Sequence, residues 1–182
     1  VFLRKTLWLE RVGEDYLDSA FRFAHRAAPD ARLYYNDYGA EGMNAVSDKV
    51  YELVKGMLDR GVPVHGVGLQ CHFDCRGDRT PEMAQNIARL HALGLVVSIT
   101  ELDFRVELPS DSARVAEQAQ RYREMMSLVR RAEGCSALLT WGITDRYSWV
   151  PGFFEGYGEA LPFDRDLRPK PAHAAMLEAL GK

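Results

Sequence analysis

Four short apolar runs of this sequence each end in side chains that can do chemistry. Their carboxylates and amides can hydrogen-bond hydroxyl groups, and their Trp and Tyr rings can stack on the apolar faces of sugar rings. Such a mixture is typical of a carbohydrate-binding site. The four groups are Asn36-Asp37-Tyr38, Gln70-Cys71-His72, Thr100-Glu101-Leu102-Asp103, and Thr140-Trp141 with Asp145 and Trp149 beyond it.

Glu101 is the main candidate for a catalytic group, because it interrupts a run of Val, Ile, Thr and Leu. A buried carboxylate is costly unless partners offset its desolvation, and a structural salt bridge at this point would be an equally good reading of the residue type alone. Two neighbours favour catalysis. Asp103 lies two residues on, hence on the same face of a strand, and His72 ends the neighbouring run. An Asp–His pair can hold a proton on the imidazole and keep a nearby Glu ionised.

Trp141 and Trp149 are the candidates for stacking on a substrate, although a lone Trp is more often part of a core. Trp149 lies between Asp145-Arg146-Tyr147-Ser148 and Val150-Pro151-Gly152, which has the composition of a loop. A loop Trp among polar residues more often faces a ligand. We therefore expect both rings at the site.

The elements that carry these residues alternate between short apolar strands and amphipathic helices. Strands in such an alternation form a parallel sheet through right-handed crossovers. The segment Tyr38-Gly39-Ala40-Glu41-Gly42 is not the glycine-rich loop of a nucleotide-binding sheet, which favours a (β/α)8 barrel. The predicted strands are Leu33–Tyr38, Gly66–His72, Val96–Phe104 and Ala137–Ile143. The predicted helices are Tyr16–Ala27, Met43–Arg60, Thr80 to Gly94, Ser110 or Asp111 to about Glu133, and Pro171–Leu180.

A complete barrel has eight strands and typically about 250 residues. Four predicted strands in 182 residues therefore indicate half of a (β/α)8 TIM barrel, an α/β fold in which residues 1–182 form a single partial catalytic domain. In such a barrel the active-site residues stand at the carboxyl ends of the strands, where the four chemical groups are found.

Composition excludes several functions. A net charge of −3 favours neither nucleic acid nor an anionic membrane as a partner, and no apolar run approaches the length of a membrane span. Cys71 and Cys75 flank His72 but lack a second ligand pair, so we predict no metal and no cofactor; with Cys135 they make an odd count, which leaves at least one thiol free within the chain. The start at Val1 lacks a signal-peptide pattern, which would suit a cytosolic protein or one whose N-terminus has been removed.

The motifs, in order and spacing, resemble those of the family-10 glycoside hydrolases, chiefly endo-β-1,4-xylanases. The resemblance covers nearly the whole chain. The matching stretches are Val12-Gly13-Glu14-Asp15-Tyr16, Tyr35-Asn36-Asp37-Tyr38, Gly61 to Gln70 with His72, Thr100-Glu101-Leu102-Asp103, Trp141 to Trp149, and Leu161-Pro162-Phe163-Asp164 through Lys170-Pro171-Ala172.

The resemblance implies a secreted, extracellular retaining xylanase acting on xylan or xylo-oligosaccharides. It implies that Glu101 is the nucleophile and that His72 and Asp103 orient it and tune its ionisation. Asn36, Tyr38 and Gln70 would contact sugar hydroxyls or the nucleophile, and Trp141 and Trp149 would line the subsites at the cleaved bond. Gly39 stands where relatives often carry Asn, and Cys71 and Cys75 are outside the family pattern.

One family motif has no counterpart here. The acid/base Glu belongs to an Asn-Glu pair, and no such pair occurs in the 182 residues; Phe2-Leu3-Arg4 resembles the loop that follows it. This predicts a chain that is nearly inactive on xylan by itself. Two open strand edges, those of Leu33–Tyr38 and Ala137–Ile143, predict either a missing N-terminal half-barrel as partner or a second copy in a homodimer.

Two rival functions fit the half-barrel less well. A barrel aldolase or isomerase for phosphorylated sugars would want a phosphate-binding Gly loop near the last strands and a strand-borne Lys, and neither is found. A non-catalytic half-barrel that binds saccharide, or that only assembles with a partner, predicts saccharide binding that survives Glu101→Ala.

Overall fold

Residues 3–181 are described in a computed structural model; Phe2 of the motif Phe2-Leu3-Arg4 lies outside them. The helices are α1 (Leu7–Val12), α2 (Tyr16–Ala27), α3 (Ala45–Asp59), α4 (Thr80–His91), α5 (Ser112–Arg131), α6 (Val150–Phe153) and α7 (Pro171–Ala179). The strands are β1 (Tyr34–Asp37), β2 (Gly66–Leu69), β3 (His72–Asp74), β4 (Val96–Glu107), β5 (Cys135–Thr140) and β6 (Tyr157–Gly158).

Four parallel strands form the main sheet in the order β1-β2-β4-β5. Helices connect successive strands, so the chain has the parallel half-barrel arrangement that the alternation predicts. Within residues 3–181, β1 pairs only with β2, and β5 pairs only with β4. Each of these two strands therefore leaves one edge without a strand partner in this part of the chain.

The hydrophobic core lies between the sheet and its covering helices. Its members on α3 and α4 recur at spacings of four and three residues, which places them on one helical face. They pack against the apolar side chains of β2 and β4. The fully buried members include Val50, Val54 and Met57 of α3, Met83, Ile87 and Leu90 of α4, and Val67, Leu69, Val97 and Ile99 of the two strands.

Helix ends follow local capping chemistry. The Asn44 side chain caps α3 by accepting hydrogen bonds from the backbone N–H groups of Val46 and Ser47. The Ser47 hydroxyl in turn accepts a hydrogen bond from the backbone N–H of Asn44. Asp111 caps α5 through the N–H of Arg114. These caps fix where each strand-to-helix loop ends and so position the loops that follow β1 and β4.

The predicted strand Gly66–His72 is broken into two, and this part of the prediction was wrong. β2 ends at Leu69, β3 begins at His72, and Cys71 between them adopts a left-handed conformation with φ of 66°. β4 runs longer than predicted: its first half pairs with β2 and β5, and its second half pairs with β3 and β6. Because of this break, the single strand β4 pairs with β2 along its first half and with β3 along its second half.

Two short helices were not predicted. α1 has six residues and α6 has four, too few for a helical stripe to show in the sequence. Trp149, expected in a loop, lies between a 3-10 turn at Asp145–Tyr147 and the start of α6. None of the helices in residues 3–181 combines the length and apolar character needed to cross a bilayer.

Candidate active site

A cleft of about 710 Å³ opens at the carboxyl ends of the strands. Five of the eight residues predicted for the site line this cleft. Of the other three, Glu101 and Asp103 are each within hydrogen-bond distance of the lining residue His72, and Asn36 is hydrogen-bonded to Glu101. The five lining residues are Tyr38, Gln70, His72, Trp141 and Trp149.

Glu101 is held by two side chains from neighbouring strands. The Asn36 amide donates to Oε1 at 2.8 Å, and His72 Nε2 lies 3.3 Å from Oε2. Thr100 donates from its hydroxyl to Asn36 Oδ1 at 2.7 Å, which turns the amide nitrogen toward the carboxylate. Gly68 makes room for this amide, since a Cβ there would lie 2.4 Å from Asn36 Oδ1. The Glu101 side chain is 13% exposed and so keeps limited access to solvent.

His72 links Glu101 to Asp103. The two residues His72 and Asp103 are register partners on β3 and β4, and Nδ1 of the imidazole lies 2.9 Å from Oδ2 of Asp103. The indole nitrogen of Trp149 donates to the same Oδ2 at 2.8 Å. Asp103 is therefore a buried carboxylate whose desolvation is offset by hydrogen bonds with two partners.

Each ring nitrogen of His72 lies within hydrogen-bond distance of a carboxylate oxygen. An ionised carboxylate only accepts hydrogen bonds, and a neutral imidazole can donate from one nitrogen alone. Burial by itself lowers the pKa of His72, but the hydrogen bonds and charges of Asp103 and then Glu101 outweigh it and raise the pKa above its usual value. The geometry thus favours an imidazolium that donates to both carboxylates.

The aromatic residues surround this imidazole. The Trp149 ring lies edge-on to His72 at a centroid distance of 4.9 Å, and the Trp141 ring lies edge-on at 6.3 Å. Trp141 is 51% exposed, which leaves a ring face for a ligand, whereas Trp149 is packed against Phe153 and Phe154. Both rings are at the site, as the sequence predicts, but the Trp149 indole also donates a hydrogen bond to Asp103.

Tyr38 and Gln70 lie on the β1 and β2 side of the cleft. The Tyr38 hydroxyl accepts a hydrogen bond from Arg4, whose guanidinium also lies over the ring at 5.0 Å. The backbone carbonyl of Gln70 accepts from the N–H of Glu101 at 3.1 Å, so the Gln70 side chain starts next to the predicted nucleophile.

Glu41 is a residue of the site that sequence reasoning missed. It is buried, and its Oε1 accepts from the backbone N–H of Cys71 at 3.1 Å and of Gly39 at 3.2 Å. Asn86 of α4 donates to the carbonyls of Ala40 and Glu41, which fixes this loop. By holding Cys71 in its left-handed turn, Glu41 positions the adjacent His72. The only sequence signal was a carboxylate in a loop directly after a strand.

Asp145 anchors the segment that carries Trp149. It accepts from the N–H of Leu161 at 2.8 Å and from the Lys170 ammonium at 3.0 Å. Burial raises the pKa of Asp145, although the charge of Lys170 opposes that rise. The Lys170 ammonium also donates to the carbonyls of Glu159 and Leu161. Asp145 and Lys170 together therefore hold residues 159–161 against the segment that carries Trp149.

The cysteines do not form a reactive cluster. Cys71 and Cys75 are buried free thiols; burial raises the pKa of Cys71 well above its usual value and that of Cys75 to about 12. Within residues 3–181, no three His, Cys, Asp or Glu side chains are grouped so that they could hold a metal ion.

Comparison with known proteins identifies relatives over nearly the whole chain. The profile of the family described as "Glycosyl hydrolase family 10" matches residues 2–179. Endo-1,4-beta-xylanase B of Thermotoga neapolitana is 40% identical over 97% of this chain and 51% of its own length. The chain spans about half the length of the curated relatives it matches.

Solved structures agree with the sequence matches. Native xylanase 10B from Thermotoga maritima superposes with a TM-score of 0.95 at 42% identity, covering 98% of this chain and 55% of that one. Xylanase 10B from Thermotoga petrophila RKU-1 in complex with xylobiose gives a TM-score of 0.95 at 41% identity, with the same coverage of 98% and 55%.

Proposed function

The chain belongs to glycosyl hydrolase family 10, and we propose that it forms the nucleophile side of a retaining endo-β-1,4-xylanase site that hydrolyses internal bonds of xylan. The relatives named as endo-1,4-beta-xylanases and the structure solved with xylobiose support xylan or xylo-oligosaccharides as the substrate. The observation that carries the proposal is the Glu101 carboxylate, held between the Asn36 amide and the His72 imidazole at the cleft.

The proposed reaction is a double displacement. A Glu101 oxygen attacks the anomeric carbon as the glycosidic C–O bond breaks, the departing oxygen takes a proton from a general acid, and water later cleaves the glycosyl ester. Hydrogen bonds from Asn36 and His72 orient the carboxylate for this attack. The His72 imidazolium also places a positive charge 3.3 Å from the carboxylate that attacks.

A second carboxyl group must stand about 5–5.5 Å from the nucleophile in a retaining enzyme. Three other carboxylates line the cleft, namely Glu41, Asp74 and Glu82. Glu41 is committed to backbone N–H groups and Asp74 to arginines. The family's acid belongs to an Asn-Glu pair, and Glu82 follows Pro81 rather than Asn, so we assign the general acid to a segment outside these 182 residues. Loss of general acid catalysis costs about 10²–10⁴-fold, so the chain alone is expected to be nearly inactive on xylan.

Release of reducing ends from xylan tests that expectation. The purified chain and its Glu101→Ala variant, prepared in parallel to reveal any contaminating xylanase, are expected to give equal background rates. Turnover by the wild-type chain well above that of the variant would contradict the assignment of the acid to another segment.

The proposed partners follow from the open edges of β1 and β5. Either a complementary half-barrel or a second copy of this chain would cover them, and we propose a homodimer for the chain by itself. Sedimentation velocity that shows a single monomeric species over a wide concentration range would contradict the homodimer. We also propose an extracellular location, on the basis of the family resemblance.

A further inference from the structure

A cluster of arginines shares one carboxylate beside the cleft. Asp74 is buried, and its oxygens lie 2.9 Å from Nη2 of Arg76, 3.3 Å from Nη2 of Arg105 and 3.6 Å from Nη2 of Arg79. One carboxylate cannot neutralise three guanidiniums, so the cluster keeps a net positive charge. Arg105 is mostly buried and Arg79 is about half exposed, whereas Arg76 is 80% exposed; a partly buried pair of guanidiniums such as Arg79 and Arg105 is suited to an additional anion.

Two of the three guanidiniums face the cleft. Arg79 and Arg105 line it, whereas Arg76 does not. Arg105 lies over the Phe154 ring at 4.3 Å, and Arg79 lies over the Phe73 ring at 4.9 Å. Stacking holds the plane of a guanidinium while leaving its N–H edge available for a ligand. Arg79 contacts Asp74 as an ion pair at 3.6 Å, beyond hydrogen-bond distance, so among the residues 3–181 its guanidinium N–H groups donate no hydrogen bond.

The cluster stands close to the predicted nucleophile along the same strands. His72 pairs with Asp103, and two residues further on Asp74 pairs with Arg105. Side chains two residues apart share a face of the strand and are about 6.6 Å apart along it. Arg105 lies four residues beyond Glu101 on β4, about 13 Å along the strand, so a group bound at the arginines belongs to a sugar, or to a branch, beyond the sugar at Glu101.

We infer that Arg79 and Arg105 form a subsite for the carboxylate of an acidic branch, a uronic acid, carried by the polysaccharide. The inference rests on the proposed function, because the polysaccharide brings the anion into the cleft. A planar carboxylate matches the fork of a guanidinium, and a charge-assisted hydrogen bond forms without a metal. Two other carboxylates that line the cleft would repel an anionic ligand. They are Glu41, which accepts hydrogen bonds from backbone N–H groups, and the exposed Glu82.

Binding of three matched oligosaccharides tests the inference. The ligands are xylotriose, xylotriose with a glucuronosyl branch, and the same branched compound with its carboxyl group reduced to the alcohol. Ligand-observed NMR at low salt is expected to show the acidic compound binding about three- to tenfold more tightly than its reduced form. High salt should diminish this advantage, because an exposed charge pair is screened.

Matched arginine variants locate the subsite. Arg79→Gln is expected to remove the advantage of the acidic compound and to leave the affinity for the reduced form unchanged. Arg76→Gln is the control, since Arg76 contacts the same Asp74 but does not line the cleft. Arg79 donates no hydrogen bond to the described residues, so its replacement should leave the fold intact, which circular dichroism checks.

The outcomes separate the inference from the proposed function. Equal affinity of the wild-type chain for the acidic and reduced compounds would overturn the acidic subsite, while binding of both would leave the saccharide cleft in place. An advantage that survives Arg79→Gln would also overturn it. Failure of all three compounds to bind would overturn the inference and count against the proposed function as well.

Discussion

His72 and Asp103 are register partners on adjacent parallel strands, and their side chains meet at 2.9 Å between Nδ1 and Oδ2. The pairing places the other ring nitrogen of His72 3.3 Å from Glu101. One imidazole thus connects a buried carboxylate, Asp103, to the carboxylate at the cleft. We therefore expect Asp103 to act on Glu101 through the ionisation of His72.

The pKa of His72 is expected to lie above the usual value of about 6.5, because Asp103 and Glu101 stabilise the imidazolium more than burial destabilises it. NMR titration of the His72 ring protons measures it directly. Asp103→Asn removes the main stabilising charge and should lower this pKa. A wild-type pKa at or below about 6.5 would contradict the imidazolium assignment.

The same shift makes stability depend on pH. The folded state holds the His72 proton more tightly than the unfolded state, so the stabilisation is fully present below about pH 6.5 and is lost as pH rises through the folded-state pKa. Chemical denaturation of the wild type and of His72→Gln measures it. The difference in the free energy of unfolding between the two is expected to shrink as the pH rises through that window; a difference that grows would contradict the sign.

The two tryptophans are expected to differ in their effect on stability. Trp149→Phe removes the N–H that donates to the buried Asp103, and should lower the free energy of unfolding by about 1–3 kcal/mol. Trp141→Phe is the control, because Trp141 is half exposed, and its effect should stay within about 0.5 kcal/mol. Urea denaturation compares them, and equal effects would mean that the indole hydrogen bond contributes nothing measurable.

Glu41 is expected to act through Cys71. Glu41→Ala leaves the backbone N–H groups of Cys71 and Gly39 without their acceptor, and should cost about 2–4 kcal/mol of unfolding free energy. It should also speed amide hydrogen exchange at Cys71 and shift the NMR signals of His72. Glu82→Ala, an exposed carboxylate of the same cleft, is the control. Unchanged His72 signals in Glu41→Ala would show that the loop, rather than Glu41, sets the turn.

Some of this site could be predicted from the sequence because it follows from local rules. Strand alternation placed Asp103 on the face of Glu101, and the order of the strands placed His72 beside them. The break at Cys71 could not be predicted, since it depends on the acceptor Glu41 from a loop distant in sequence. The bond from the Trp149 indole to Asp103 was missed for the same reason: it joins residues 46 apart along the chain.

The central claim is that Glu101 is the nucleophile and that this chain holds it ready to react. Incubation with a dinitrophenyl 2-deoxy-2-fluoro-xylobioside, followed by intact mass measurement, tests it most directly. Dinitrophenolate leaves as a stable anion without a general acid, so a Glu101 oxygen can form the ester to the anomeric carbon unaided. We expect a mass gain of one fluoro-xylobiosyl unit in the wild type and none in Glu101→Ala. Absence of labelling in a folded wild-type chain, or a label on another residue, would contradict the claim; saccharide binding that survives Glu101→Ala without any label would instead favour a non-catalytic half-barrel.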